Sequence, residues 1–271
     1  MNLRCVWLIG MLAMPGVASG QTRPMSLHLS YETYAAGLNV AEMDAGFGLG
    51  PFSYQLNLAY HTNGVVGFFF RGHQFDTVSG SWNGTQPVPN RFFGHGVWRG
   101  QDRVAVIDYD KGMPIVRQLV PPNSHEREVV PDALRANTID TVSALIGLVR
   151  NVETTGRCET VVHTYDGRRA TEIQAVTVGN EMLEQTSRST FAGRALRCDF
   201  TGRMLAGFLL NDNRERDSKP LHGSAWLAPV LPGGPPVPVR LTFQTRWVGD
   251  VTMYLTGVGA GAELDTTSAM R

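Results

Sequence analysis

The sequence has no excess of charge of either sign. It contains 24 basic and 24 acidic residues in a chain of 271. Nucleic acids and anionic membrane surfaces are bound largely through an excess of positive charge, which this chain does not have. The balance therefore argues against a nucleic-acid partner. Hydrophobic residues make up 42% of the chain, which suffices for the core of one large domain.

Familiar catalytic and metal-binding motifs are also missing. Residues 80–84 read Gly-Ser-Trp-Asn-Gly, which lacks the spacing of a nucleophile elbow. No two of the seven histidines lie at the short spacing of a metal motif. We therefore predict no catalytic residue, no metal site and no cofactor, and a protein that is not an enzyme. Metal-binding side chains that converge from distant segments of the chain remain an open alternative.

The start of the chain is apolar but too short for a membrane anchor. Arg4 precedes an apolar run at residues 5–13, and the small residues 18–20 precede Gln21. This order is typical of a cleavable signal peptide rather than a transmembrane segment. We predict a signal peptide at residues 1–20 and a single β-rich domain at 21–271, exported to the periplasm and monomeric.

Cysteine is scarce, and its count is informative. Cys5 lies in the predicted signal peptide, which leaves Cys158 and Cys198 as an even pair in an exported chain. Such a pair favours a disulfide over two buried thiols. The chain-entropy model gives a bond that closes a loop of this length about 4 kcal/mol of stabilisation.

What the sequence does contain is a period of two. Tyr54, Leu56, Leu58 and Tyr60 alternate with polar residues, and similar runs recur between turn signals. This pattern is typical of antiparallel strands. We predict a mainly β fold, with a single large curved or barrel-like antiparallel sheet of about 12–14 strands.

A corner rich in proline and glycine joins two apolar runs at residues 226–243. Gly233 and Gly234 allow the chain to reverse, and prolines on both sides favour extended backbone. Arg240 is the one charge in the second run. We predict two strands that close the sheet here. The charged residues 211–219 are expected to form a solvated loop.

One helix is predicted at residues 140–150. Asp140 is a suitable N-cap, and apolar residues cover more than one face of the segment. A helix this apolar must be largely enclosed, so we expect the curved sheet to wrap around it.

The apolar block at residues 64–70 interrupts the strand pattern. It is predicted either to cap the sheet as a buried element or to form an exposed lip that contacts lipid or another ligand. Together with the helix it supplies the candidate ligand-binding residues, each of which is also compatible with ordinary core packing. The candidates are Val65, Val66, Phe68, Phe69, Phe70, Leu145 and Leu148.

Several short motifs follow one another along the chain. They are Tyr31-x-x-Tyr34-x-x-Gly37-Leu38-x-Val40, Thr62-x-Gly64, Tyr109-Asp110, Asp140-x-x-Ser143-Ala144-Leu145, Cys158, Tyr165-Asp166-Gly167-Arg168-Arg169, Cys198 and the proline-rich corner. Together they resemble a bacterial exported family known as domain of unknown function 3108. The resemblance implies an exported protein without an agreed active site, so it supplies no catalytic residues. It also implies an architecture similar to periplasmic lipoprotein carriers, which is an analogy of fold.

These observations favour a non-catalytic periplasmic envelope protein. Its expected ligand is hydrophobic, either a lipid or the acyl chains of a lipoprotein, and an envelope protein partner is an alternative to a ligand. Two other functions remain open. One is a structural envelope protein without a cavity, and the other is a hydrolase of an envelope polymer, which would need two carboxylates or a His–carboxylate pair in a cleft.

Overall fold

The computed structural model describes residues 25–63, 72–98, 100–245 and 249–260. Within them the chain forms thirteen strands and two α-helices. The strands are β1 (Met25–Ala35), β2 (Leu38–Leu49), β3 (Ser53–Thr62), β4 (Gly72–Asn83), β5 (Gln86–Trp98), β6 (Gln101–Asp110), β7 (Met113–Val120), β8 (Thr160–Tyr165), β9 (Ala170–Leu183), β10 (Gly193–Ala206), β11 (Leu221–Pro229), β12 (Pro236–Thr245) and β13 (Gly249–Ala260). The helices are α1 (Thr141–Thr155) and α2 (Arg214–Ser218), with short 3-10 turns at Asn123–His125 and Asp132–Leu134.

All thirteen strands belong to one antiparallel sheet. Its order is β7-β6-β5-β4-β3-β2-β1-β13-β12-β11-β10-β9-β8, so two meanders are joined where the first strand pairs with the last. For example, Tyr31 of β1 lies opposite Leu255 of β13. The sheet is nearly closed into a barrel, and its two edges are β7 and β8. The predicted fold class and strand number are confirmed.

Residues 121–140 close the gap between the two edge strands. Asn137 N–H donates to the Gly112 carbonyl at 2.7 Å, at the turn that precedes β7. Ile139 then pairs with β8, accepting from Tyr165 N–H at 2.8 Å and donating to the His163 carbonyl at 3.1 Å. These bonds satisfy backbone groups that an open sheet edge would otherwise expose.

Helix α1 lies against the inner face of the sheet. Its residues Val142, Ile146, Val149 and Val152 are buried, and they pack with inward residues of the strands in two apolar clusters. The predicted helix therefore exists, but it runs beyond residue 150 and ends before Gly156, which adopts φ 69°. The last turns of the helix are mostly polar around the buried Val152, so the apolar pattern did not predict this extension.

The N-terminus of α1 is fixed by a buried chain of hydrogen bonds. Ser143 donates to Asp140 through both its backbone N–H and its hydroxyl, each at 2.7 Å. Because that hydroxyl proton is used, Tyr54 of β3 donates to Ser143 Oγ at 2.8 Å. Burial raises the pKa of Asp140, while the bonds from Ser143 act in the opposite direction. The chain ties the helix cap to the middle of the sheet.

The predicted disulfide between Cys158 and Cys198 is present, with the two Cα atoms 5.8 Å apart. It links the segment after α1 to β10 across the inner face of β9. Both cysteines are fully buried, and they share an apolar cluster with Val149, Val152 and Leu227. The bond therefore joins the helix connection to the second half of the sheet.

The proline-rich corner joins β11 to β12, as the sequence predicts. Val237 and Val239 are fully buried, and the Tyr31 hydroxyl donates to the Pro238 carbonyl at 2.9 Å. Arg240 is the one charged residue in its run of the sequence, but in the structure it contacts aromatic rings. Its guanidinium lies 4.6 Å from the ring centre of Trp226 and 5.8 Å from that of Tyr254, an arrangement that favours cation–π attraction.

Reduction of the disulfide is expected to destabilise the fold substantially. A sequence separation of 40 corresponds to about 4 kcal/mol in the chain-entropy model. Urea unfolding followed by circular dichroism, with and without dithiothreitol, measures this difference. A Cys158→Ala/Cys198→Ala variant should unfold like the reduced protein and should not respond to dithiothreitol. Identical midpoints for oxidised and reduced protein would contradict the expectation.

Loss of the Ser143 hydroxyl should also lower the free energy of unfolding. Ser143→Ala leaves Asp140 Oδ2 and the Tyr54 hydroxyl without their shared partner in a buried site. We expect a loss of about 1–3 kcal/mol, measured by urea unfolding. Ser124→Ala, at an exposed serine, is the matched control and should be neutral. Equal effects of the two substitutions would show that the hydrogen bonds among Asp140, Ser143 and Tyr54 do not stabilise the helix cap.

Candidate ligand cavity at one end of the barrel

A cavity of about 490 Å³ opens at one end of the sheet. It lies beside the turn between β8 and β9. The ends of β10 and β12 and the start of β11 are at the same end of the sheet. Part of its wall is apolar and comes from one residue on each of four adjacent strands. These residues are Ile173, Met204, Leu221 and Phe243, and Leu209 adds to them from the loop after β10.

The apolar wall belongs to the same sheet face as the core. Ile173 is two positions from the buried Ala175 on β9, so the two side chains share one face. Met204 of β10 lies opposite Thr171 of β9, which is two positions from Ile173, so Met204 belongs to the same face. Gly202 contributes no side chain between these positions, and a Cβ built there would meet nothing within 4 Å. This missing side chain helps to keep the cavity open.

The second part of the wall is polar and carries charges. Thr141 at the start of α1, Thr164 and Thr171 line it, together with Arg127, Asp166 and Arg169. Asp166 accepts from the backbone N–H groups of Arg168 and Arg169, which forms the turn between β8 and β9. The turn therefore fixes the Asp166 carboxylate at the cavity wall.

Asp166 and Arg169 form an ion pair that remains open to solvent. Arg169 Nη2 lies 2.7 Å from Asp166 Oδ2, and the Arg169 side chain is 46% exposed. Burial opposes ionisation of Asp166, but the Arg169 charge and the hydrogen bonds to the carboxylate outweigh it, so the pKa of Asp166 is lowered. Burial and the nearby Arg169 charge together lower the pKa of Arg127.

Behind this wall, charged side chains connect the two edges of the sheet. Arg103 of β6 forms a two-pronged contact with Glu126, at 2.8 and 2.9 Å. Arg168 lies 3.5 Å from the same carboxylate and donates to the Val120 carbonyl at 2.7 Å. We call six residues the closure cluster. They are Arg103, Glu126, Arg127, Asp166, Arg168 and Arg169.

Another part of the rim comes from the charged segment expected to be a solvated loop. Its end forms the short helix α2, capped by Asn213, whose side chain accepts from Arg216 N–H at 2.9 Å. Asp217 is buried and, with Asp212, lines the cavity. The expectation of a fully solvated loop is wrong here because Arg216 pairs with both carboxylates, which compensates for their partial burial.

Asp76 of β4 contributes a further carboxylate to the barrel interior. Its pKa is raised to about 6, chiefly by burial, with smaller contributions from the charges of Asp140 and Asp166. Gln74 donates to Asp76 Oδ1 at 2.6 Å, which favours the ionised form. Asp76 therefore changes charge within the pH range in which proteins commonly work.

The candidate ligand-binding residues have different outcomes. Val65, Val66, Phe68, Phe69 and Phe70 lie outside the described residues. Leu148 is partly buried against the cluster around the disulfide, and Leu145 is also partly buried. Neither leucine lines this cavity, so the whole set stays a prediction.

Sequence reasoning missed the polar residues of the cavity wall. Arg127, Asp166 and Arg169 come from a connection and a hairpin turn, and no local spacing relates the first to the other two. The motif Tyr165-Asp166-Gly167-Arg168-Arg169 was a usable signal, since its charges exceed what a tight turn requires. Within the described part of the chain, no three His, Cys, Asp or Glu side chains group as a metal site.

These features define a nearly closed antiparallel barrel, with an internal helix and a cavity at one end. The chain belongs to the family described as protein of unknown function, DUF3108, whose model matches residues 30–256. The resemblance seen in the sequence is thus confirmed. Among the described residues, no helix has the length and apolar character needed to cross a membrane.

A solved structure shows a similar fold. It is a β-barrel-like protein of the domain of unknown function DUF1849 from Brucella abortus, with a TM-score of 0.53 and 11% identity. The match covers 89% of this chain and all of the other chain. At this identity the likeness concerns the fold alone. Comparison with curated proteins gave no match.

The raised pKa of Asp76 predicts a specific pH dependence of stability. Between the ordinary value of 3.8 and about 6, the folded state retains a proton that the unfolded state has lost. The free energy of unfolding therefore falls as pH rises through this window and is level above it. Asp76→Asn should remove this contribution and exceed the wild type at pH 7 by about 1–3 kcal/mol.

Urea unfolding of both proteins between pH 4 and pH 8 measures the difference, in which other titrating groups largely cancel. Gln101→Ala, at an exposed position of β6, is the control and should give no pH-dependent difference, because the position carries no titratable group. A constant offset between Asp76→Asn and the wild type across the whole range would contradict the assignment.

Proposed function

We propose that this chain is a non-catalytic protein of the cell envelope that binds a small hydrophobic or amphipathic ligand in the cavity at the end of its barrel. The ligand class we favour contains an acyl chain, as in a lipid or a lipoprotein. The candidate ligand-binding residues at 64–70, together with Leu145 and Leu148, remain in this proposal as a second region that contacts the ligand.

The cavity itself is the observation that carries the proposal. Its volume of about 490 Å³ falls within the range of pockets that enclose small organic ligands. Ile173, Met204 and Phe243 offer a continuous apolar wall for a tail. A structural protein with a solid interior would not need this space, and the open Gly202 position maintains it.

Export is the second part of the proposal. The first twenty residues have the pattern of a signal peptide, and the disulfide between Cys158 and Cys198 suits an oxidising compartment such as the periplasm. Both observations support an envelope location.

Filling the cavity should abolish binding without disturbing the fold. Gly202→Leu places a leucine where a Cβ meets nothing within 4 Å, and leucine suits a strand better than glycine does. We expect unchanged or slightly higher thermal stability. Binding of 1-decanol, measured by isothermal titration calorimetry, should fall at least about tenfold, because its tail competes with the leucine for the same apolar space.

Gly48→Leu is the matched control, since Gly48 lies in β2 away from the cavity and has only ordinary contacts around its Cβ position. It should bind decanol like the wild type. Native mass spectrometry of protein extracted from the producing cell adds an independent measurement. Failure of the wild type to bind either decanol or its carboxylate analogue decanoate, with a ligand-free mass after extraction, would overturn the proposal.

A further inference from the structure

We propose that the cavity selects an anionic amphiphile, with a carboxylate or phosphate head held at Arg127 and Arg169 and an apolar tail along β9 to β12. This inference rests on the proposed binding function and adds the chemical class of the ligand. Its basis is an excess of positive charge at one pole of the cavity, together with guanidinium donors that lack partners.

The closure cluster holds more positive than negative charge. Its four arginines face only two carboxylates, Glu126 and Asp166. Glu126 is shared between Arg103 and Arg168, and Asp166 is engaged by Arg169. Arg127 therefore has no carboxylate of its own and lies in the field of the other arginines. An added anion would relieve this repulsion.

Unused donors lie on the same side of the cavity. Arg127 donates through Nη1 to the Gly207 carbonyl at 2.8 Å and forms no ion pair with a carboxylate among the described residues. Arg169 uses Nε and Nη2 for Asp166. Its Nη1 has no partner in the described part of the chain, and the side chain is open to solvent. Carboxylates and phosphates bind such guanidinium donors in charge-assisted hydrogen bonds.

The uncharged part of the cavity continues from this basic pole. Thr171 lines the cavity together with Asp166 and Arg169, and its hydroxyl offers a further donor to an anionic oxygen. The Thr164 hydroxyl already donates to the Thr171 carbonyl at 3.4 Å. The wall then becomes apolar at Ile173, and Met204 and Phe243 extend it. A head near the β8–β9 turn thus places its tail across the adjacent strands.

Acidic residues elsewhere in the barrel do not cancel this polarity. Asp212 and Asp217 also line the cavity, and both pair with Arg216. The charges that act most strongly on Arg127 are those of Arg169, Asp166, Glu126 and Arg168. Asp212 and Asp217 therefore do not cancel the positive excess of the closure cluster.

Calorimetric titration of the full mature protein with a matched series of ligands tests the inference. The series comprises decanoate, decyl phosphate, 1-decanol, decyltrimethylammonium, and inorganic phosphate without a tail. We expect decanoate and decyl phosphate to bind at least about tenfold more tightly than decanol. Decyltrimethylammonium and inorganic phosphate should bind most weakly, since the first opposes the arginines and the second lacks apolar contacts.

Arg127→Met keeps an unbranched apolar stem and removes the guanidinium charge. It should weaken decanoate binding about tenfold while leaving decanol binding unchanged. Arg117→Met, at an exposed arginine paired with Asp108 on the outside of the sheet, is the control and should change neither. The ligand series in the wild type does not depend on the folding of either variant.

The outcomes separate the two proposals. Equal affinity for decanoate and decanol in the wild type would overturn the anionic head while leaving the binding function intact. Tight binding of inorganic phosphate alone would overturn the amphiphile in favour of a free anion. If neither decanol nor decanoate binds, the binding function and the inference both fail.

Discussion

The constraint on which this structure depends is the closure of a thirteen-stranded sheet whose edge strands, β7 and β8, do not pair with each other. Unpaired strand edges expose backbone groups that favour association with other chains. Here the connection between the edges bonds to both sides of the gap, since Asn137 donates to Gly112 in the turn before β7 and Ile139 pairs with β8. The same connection continues into α1, so the segment that closes the barrel also delivers the helix that fills it.

Closure relies on arginine, and this choice explains why a charged cavity wall lies beside it. Only two of the 24 basic residues in the chain are lysines. The planar guanidinium fork can contact a carboxylate and a carbonyl together and can stack on aromatic rings. Arg168 does the first, contacting Glu126 and the Val120 carbonyl, and Arg240 does the second against Trp226. The arginines that hold the edges together consequently bring surplus positive charge to the mouth of the barrel.

Local patterns in the sequence were sufficient for the fold because its elements are local. Alternation at Tyr54 and Leu56 specifies a strand with one buried face, and Asp140 specifies the start of α1. The even number of cysteines outside the predicted signal peptide, Cys158 and Cys198, predicts a disulfide without any knowledge of the distance between them. The cavity is different, because Arg127 comes from the connection after β7 and Arg169 from the turn between β8 and β9, and only the folded chain brings both to the cavity wall. Their proximity depends on the sheet order, which no spacing in the sequence records.

The motifs that carried the family resemblance have structural roles before any chemical one. Asp140 and Ser143 cap α1, and Asp166 forms the turn between β8 and β9. Charged and hydroxyl residues in such motifs resemble catalytic groups, yet most of their hydrogen bonds stabilise the fold. Polar groups at the cavity that the fold does not use are therefore the better guide to function. By that criterion Arg127, which lines the cavity and pairs with no carboxylate among the described residues, and Arg169, whose side chain is open to solvent, point to a ligand more directly than Asp140 or Ser143 does.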